Sequence, residues 1–210
     1  MKKIIISIVS ALLLALLSIL GLNYFKNTGP RTRVVSPAGS KIIVEEMSYY
    51  LGGDKVFGRV FKPSDENGNF PDSIGPMPLV VYLHEPLKTE WPENVMKSLV
   101  PGGVIGYTSG FRGKDKDAVK LLSRIGKESF VQPGMIFVIS DASCGDQVVK
   151  AVAKLGHKIQ GLVLVEPLLT GKASEIYLRY GNEFLTIDND DKENAVSLIE
   201  DYLEQRGALK

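Results

Sequence analysis

The chain has 210 residues, a net charge of +1, one cysteine and two histidines. Near-neutral charge gives no basic surface for nucleic acid, and a lone cysteine excludes an internal disulfide. Two histidines make a histidine-built metal site unexpected, and no cofactor motif is present; the glycines of residues 101–106, PGGVIG, lack dinucleotide-fingerprint spacing.

In chain order, Met1-Lys2-Lys3 precede an uncharged apolar run over residues 4–25. A membrane-spanning helix needs about 20 apolar residues, whereas the apolar core of a signal peptide has about 7–15. No small-x-small cleavage site follows the run, so residues 1–26 read as a membrane anchor, with a cleaved signal as the alternative. The expected location is extracytoplasmic, anchored or, on cleavage, secreted. Residues 27–40 hold Gly29-Pro30 and Pro37-Ala38-Gly39 and read as a linker. Residues 41–210 form the remaining domain, of ordinary size for a single core.

Within that domain, residues 41–50 and 55–61 are strand-like runs flanking Gly52-Gly53-Asp54, a hairpin signal. A polar loop over residues 62–76 follows. Strands and helices then alternate. Strands are expected over residues 78–84, 102–108, 135–140, 161–165 and 183–187, and helices over 93–99, 117–127, the stretch after Gly145, and 194–206. Continuous apolar strands separated by amphipathic helices predict an α/β fold, a mostly parallel sheet with helices on both faces.

The densest chemistry lies in residues 134–155, GMIFVISDASCGDQVVKAVAKL. An apolar strand runs into Asp141-Ala142-Ser143-Cys144-Gly145, and a helix follows with Val148, Ala151, Val152 and Leu155 on one face. Small residues crowd the reversal, and a serine there meets the free N–H groups of a helix start. The plain alternative is an ordinary strand–turn–helix joint. Taking Cys144 as nucleophile instead puts Ala142 before it and Asp146 after it.

This turn resembles the nucleophile elbow of the α/β-hydrolase superfamily, Gly-x-Ser-x-Gly, with Ser143 as the serine, Gly145 in place, and Asp141 where the first glycine stands. The order of elements over residues 43–205 is also similar to that superfamily, in an esterase or dienelactone-hydrolase-like form incomplete at the C-terminus. The strand ending Val81-Tyr82-Leu83-His84 leads to Glu85-Pro86, in place of the usual His-Gly. The resemblance implies an oxyanion hole built from the N–H groups of Cys144 and Glu85, since Pro86 has none to give. Gly110-Phe111-Arg112-Gly113 is similar to the superfamily's Arg-Gly loop. The resemblance places the acid of a triad at Asp190 or Asp191, residues that also suit a helix cap. It calls for a histidine after the acid, and none occurs beyond His157. His157 itself lies about 20 Å from Ser143 along the intervening helix.

The expected function is therefore a membrane-anchored α/β-hydrolase-like protein, catalytically impaired, that binds a small acyl or ester ligand or a protein partner. The alternative is an active serine hydrolase for ester, thioester or peptide bonds, in which Ser143 uses an unconventional base such as Glu85. A truncated chain and an unrelated α/β fold complete the set.

Overall fold

The computed structural model describes residues 31–34, 41–51, 54–71, 75–180 and 183–209. The expected anchor over residues 1–26 lies outside the described residues. Among the described residues no helix is long and apolar enough to cross a membrane.

Eight strands form one sheet: β1 (Arg31–Val34), β2 (Ile42–Leu51), β3 (Asp54–Pro63), β4 (Met77–His84), β5 (Ile105–Gly110), β6 (Val131–Asp141), β7 (Gly161–Val165) and β8 (Leu185–Ile187). Their order across the sheet is β1-β2-β3-β5-β4-β6-β7-β8. From β5 to β8 every pairing is parallel, while β2 and β3 form an antiparallel hairpin and β3 meets β5 antiparallel. The helices are α1 (Glu90–Leu99), α2 (Asp115–Ile125), α3 (Gly145–Leu155), α4 (Gly171–Tyr180) and α5 (Ala195–Gln205). The expected α/β class, with a largely parallel sheet and helices on both faces, is what the chain adopts.

Strand β4 lies between β5 and β6 and is buried along almost its whole length. Its side chains alternate between two cores. Leu79, Val81 and Leu83 enter one core with Leu121 and Leu122 of α2 and with Val148 and Val152 of α3. Val80 and Tyr82 enter the other with Val95 and Met96 of α1 and with Ile199 and Leu203 of α5. Fully burying such an aliphatic side chain stabilises by about 1.5–3 kcal/mol.

This division positions the site. The helix after β4 lies on one face of the sheet, whereas the helix after the adjacent β6 lies on the other. The chain therefore leaves neighbouring strands in opposite directions, and a crevice opens at their carboxyl ends.

Several elements differ from their sequence-based boundaries, four of them for evident reasons. Arg31–Val34, inside the stretch read as a linker, is a strand. Strand β5 begins later than expected because residues 100–102 complete a helical turn that Gly103, at φ 103°, terminates. Strand β6 begins earlier, with Gly134 at φ 78° beside a register shift against β4. Helix α4 occupies residues read as loop, and of its side chains only Ala173 is buried, which left little apolar pattern to read.

Gly58 of β3 is where the sheet is most intolerant of a side chain. A Cβ there would stand 2.3 Å from Tyr107 Oη and 2.6 Å from the Thr108 carbonyl oxygen. Gly58→Ala is expected to cost about 1–3 kcal/mol through overpacking, read as a lower urea midpoint at unchanged slope.

Candidate functional site

The carboxyl ends of β4, β5 and β6 bring together three loops. Residues 85–88 make a tight turn after β4, closed by Lys88 N–H donating to the Glu85 carbonyl at 2.9 Å. Pro86 sits second in that turn, where its fixed φ suits the geometry. Gly110 lets this turn fold over the end of β5, for a Cβ there would meet Pro86 Cα at 2.6 Å. After β6, Cys144 N–H donates to the Asp141 carbonyl at 3.1 Å, and α3 starts directly beyond.

Within the β6 turn the Asp141 carboxylate is the hub. Its Oδ1 accepts from Ser143 N–H at 3.2 Å and from the Ser143 hydroxyl at 2.7 Å. Its Oδ2 accepts from Glu85 N–H at 2.9 Å, joining the two loops. Ser143 is exposed, while Cys144 is buried, its thiol donating to the Phe111 carbonyl at 3.3 Å.

The resemblance to a nucleophile elbow is therefore positional. An elbow holds its serine on a strained reversal. Here Asp141 closes an Asx-type turn, and Ser143 keeps a negative φ. Among the described residues the one non-glycine at positive φ is Glu166, at 49°, just after β7. Glu166 N–H donates to the Ile187 carbonyl at 2.8 Å.

The structure brings Ser143, Cys144 and Glu85 together around Asp141. Both N–H groups assigned to the oxyanion hole face the β6 turn, and both are already committed, Glu85 N–H to the Asp141 carboxylate and Cys144 N–H to the Asp141 carbonyl. The Glu85 carboxylate pairs with Lys88 at 3.0 Å rather than with Ser143. That bond, then the charges of Glu85, Asp141 and Glu166, raises the affinity of the Lys88 amine for its proton.

Asp190 and Asp191 lie exposed in a short helical run, residues 189–194, that leads into α5, and among the described residues neither shares a hydrogen bond with Ser143. Asp191 N–H donates to the Asp188 carbonyl at 3.1 Å, a turn closure of the kind expected of a capping segment.

His84 is buried edge-on against Tyr82, ring centroids 6.0 Å apart, with Tyr82 in turn edge-on to Trp91 at 5.6 Å. Its Nδ1 lies 2.8 Å from the Glu85 carbonyl oxygen, which only accepts, so Nδ1 carries the proton and braces the loop. His157 is exposed at the far end of α3. Asp146 accepts from both the backbone N–H, at 2.8 Å, and the hydroxyl of Thr170. It ties the loop after β7 to the first turn of α3.

A cleft of about 430 Å³ at Ser143 is also lined by Arg112 and Gln147. Arg112 belongs to the Arg-Gly loop read in the sequence without a site role, whereas Gln147 escaped that reading because its residue type carries no signal on its own. Among the described residues no group of three or more His, Cys, Asp or Glu side chains is arranged to hold a metal ion.

No protein-family model matches the chain, and no curated protein sequence resembles it. Solved structures do. A cold-adapted esterase from an Arctic intertidal metagenomic library is similar over 87% of this chain and 100% of its own, with TM-score 0.61 and 14% identity. The acetyl xylan esterase from Paenibacillus sp. R4 is similar over 82% of this chain and 67% of its own, with TM-score 0.53 and 15% identity. A dienelactone hydrolase-like promiscuous phosphotriesterase from metagenomic libraries is similar over 71% of this chain and 83% of its own, with TM-score 0.53 and 12% identity. At these identities the likeness defines the fold: the chain has the α/β-hydrolase fold.

Cys144, the alternative nucleophile, makes a direct test of the site. Burial pushes its thiol up to about 11, only partly opposed by the bond from Ser143. A raised pKa keeps the thiol protonated at neutral pH, and the thiolate is the reactive form. Iodoacetamide should alkylate folded Cys144 at about pH 8 roughly a hundredfold more slowly than the unfolded chain. The rate should keep rising through about pH 10; a plateau near pH 8.5 contradicts the buried thiol.

Proposed function

We propose that this α/β-hydrolase-fold protein binds a ligand at the carboxyl edge of its sheet without efficient turnover. The observation that carries this reading is the double engagement of the Asp141 carboxylate, with Glu85 N–H at 2.9 Å and the Ser143 hydroxyl at 2.7 Å. Acyl transfer needs free donors aimed at a developing oxyanion, and one such donor is worth about 2.7–4 kcal/mol. Here an internal anion accepts from Glu85, and the turn carbonyl accepts from Cys144. This obstruction lies in the β4 and β6 loops themselves and applies whichever group serves the serine as base.

The support from the comparisons is coarser. It consists of a shared fold with esterases, and esterase activity belongs to those proteins. A second reading has one observation in its favour. The same 2.7 Å bond puts a proton acceptor on the Ser143 hydroxyl, so Asp141 is the candidate base of an active serine hydrolase.

Fluorophosphonate labelling separates the two. The expected outcome is no label that depends on Ser143, and no ester hydrolysis that Ser143→Ala abolishes. Labelling lost in both Ser143→Ala and Asp141→Asn would establish the second reading instead.

We further propose that the uncharged run at residues 4–25 holds the domain at a membrane, on its extracytoplasmic side. In cell fractionation the full chain should remain in the membrane pellet after carbonate washing. Its recovery in the supernatant would rule out the anchor.

A further inference from the structure

We propose that the groove beside the β2–β3 hairpin is a second binding site, apart from Ser143, that holds an uncharged alcohol between His84 and Thr108. The alcohol's hydroxyl donates to His84 Nε2 and accepts from the Thr108 hydroxyl. This goes beyond the reading above and does not depend on whether Ser143 reacts.

The groove has a volume of about 740 Å³ and runs between the hairpin, the end of β5 and the start of α1. His84, Thr108, Phe57 and Phe111 are among its walls, and Ser143 is not. Tyr82 of β4 stands opposite Thr108 of β5, and His84 stands opposite Gly110. Side chains alternate in direction along a strand, so His84 and Thr108 are diagonal neighbours on one face of the sheet.

Both residues are nearly closed off, His84 at 2% and Thr108 at 3% exposure, yet each carries an uncommitted polar atom. His84 spends Nδ1 on the Glu85 carbonyl, and Nε2 has no partner among the described residues. Thr108 Oγ1 has none there either. The unpartnered side-chain atoms sealed from solvent, among the described residues, are Tyr107 Oη and Gln147 Oε1. His84 Nε2 and Thr108 Oγ1 are therefore unpartnered but reachable, and both residues line the same groove. Polar atoms of buried residues normally find a partner within the protein. Two neighbours that leave theirs open to one cavity form a place for an outside group.

The class of that group follows from what the two atoms need. With the proton on Nδ1, Nε2 presents only a lone pair and calls for a donor. A carboxylate has no hydrogen to give. An ammonium has, but the acids of the groove are engaged: Glu46 and Glu93 by Arg59, and Asp117 by Lys114 N–H at 3.1 Å. Lys55 and Arg112 line the groove as well and oppose a second cation. A neutral donor remains. A hydroxyl serves Nε2 and Thr108 with one atom, where an amide needs two. Phe57, 64% exposed, offers apolar surface for the rest of the alcohol.

Titrations of the full chain, labelled with 15N-histidine and followed by NMR, test this. His157→Gln assigns the second histidine. 2-Phenylethanol is expected to bind and to move the His84 Nε2 resonance toward that of a protonated ring nitrogen. Its methyl ether, which lacks the donor, and 2-phenylethylammonium should each bind at least about threefold more weakly. Thr108→Val should weaken 2-phenylethanol about threefold or more and melt no lower than the wild type, because it removes a hydroxyl without a partner. A merely structural threonine would not show that split. The proposal is overturned by an Nε2 resonance unmoved at saturating 2-phenylethanol, which would leave the groove to water alone. It is equally overturned by the ether, the ammonium or phenylacetamide binding as tightly as the alcohol. Thr108→Val binding within about twofold of the wild type, or melting below it, also overturns it. Labelling of Ser143 would defeat the preceding reading and leave these outcomes unchanged.

Discussion

The carboxylate of Asp141 couples the two loops on which the site is built. One oxygen takes the Glu85 N–H, and the other takes the N–H and hydroxyl of Ser143. Hydrogen bonds to an ionised acceptor contribute about 1.5–3 kcal/mol each, so this group fixes the loop after β4 against the turn after β6. A glycine at position 141 would leave the Glu85 N–H without this acceptor, whereas the aspartate satisfies it in the ground state. Under the function proposed above, the interaction that stabilises the loops is also the one that takes a donor an oxyanion would need.

The sheet determines where that carboxylate can reach. β4 and β6 are parallel neighbours, with Leu83 opposite Ser140, so the first residues beyond each strand emerge side by side. The crossovers then part, α1 to one face and α3 to the other, which keeps the crevice between them clear. Tyr82, two residues before His84, is buried in the core beneath α1 and α5. Burial, then the charges of Asp141, Cys144 and Glu166, raises its hydroxyl pKa well above the ordinary tyrosine value, so it stays neutral under this cluster of acids.

The parts of the fold that can be read from sequence are those where burial imposes a pattern. β4, β6 and β7 are apolar runs because both faces of the sheet are covered, and α3 repeats Val148, Val152 and Leu155 because one side meets the core. α4 lacks such a stripe, with only Ala173 fully buried, and Gly102 reads as a strand start although it completes a helical turn that Gly103 ends. At the site, Ser143 and Cys144 were legible because their turn is local. The role of Asp141 was not, because its partner Glu85 is 56 residues away in sequence. Asp190 and Asp191 were read from the resemblance of their strand and loop and from chain order, neither of which encodes a distance across the sheet. Gln147, and the place of Arg112 beside Ser143, become visible only when the loops after β5 and β6 are seen to share a cleft.

The residue at 141 also changes conformation. A strained reversal costs on the order of 1–3 kcal/mol and persists only where surrounding structure enforces it. Its use in an elbow is to lift the serine hydroxyl clear of its own turn. Asp141 removes the need for that conformation, because its side chain accepts the Ser143 N–H and settles the turn at negative φ. The hydroxyl is then directed back to the same carboxylate rather than outward. One side chain thus sets the backbone of the turn, accepts the Ser143 hydroxyl and takes the Glu85 N–H.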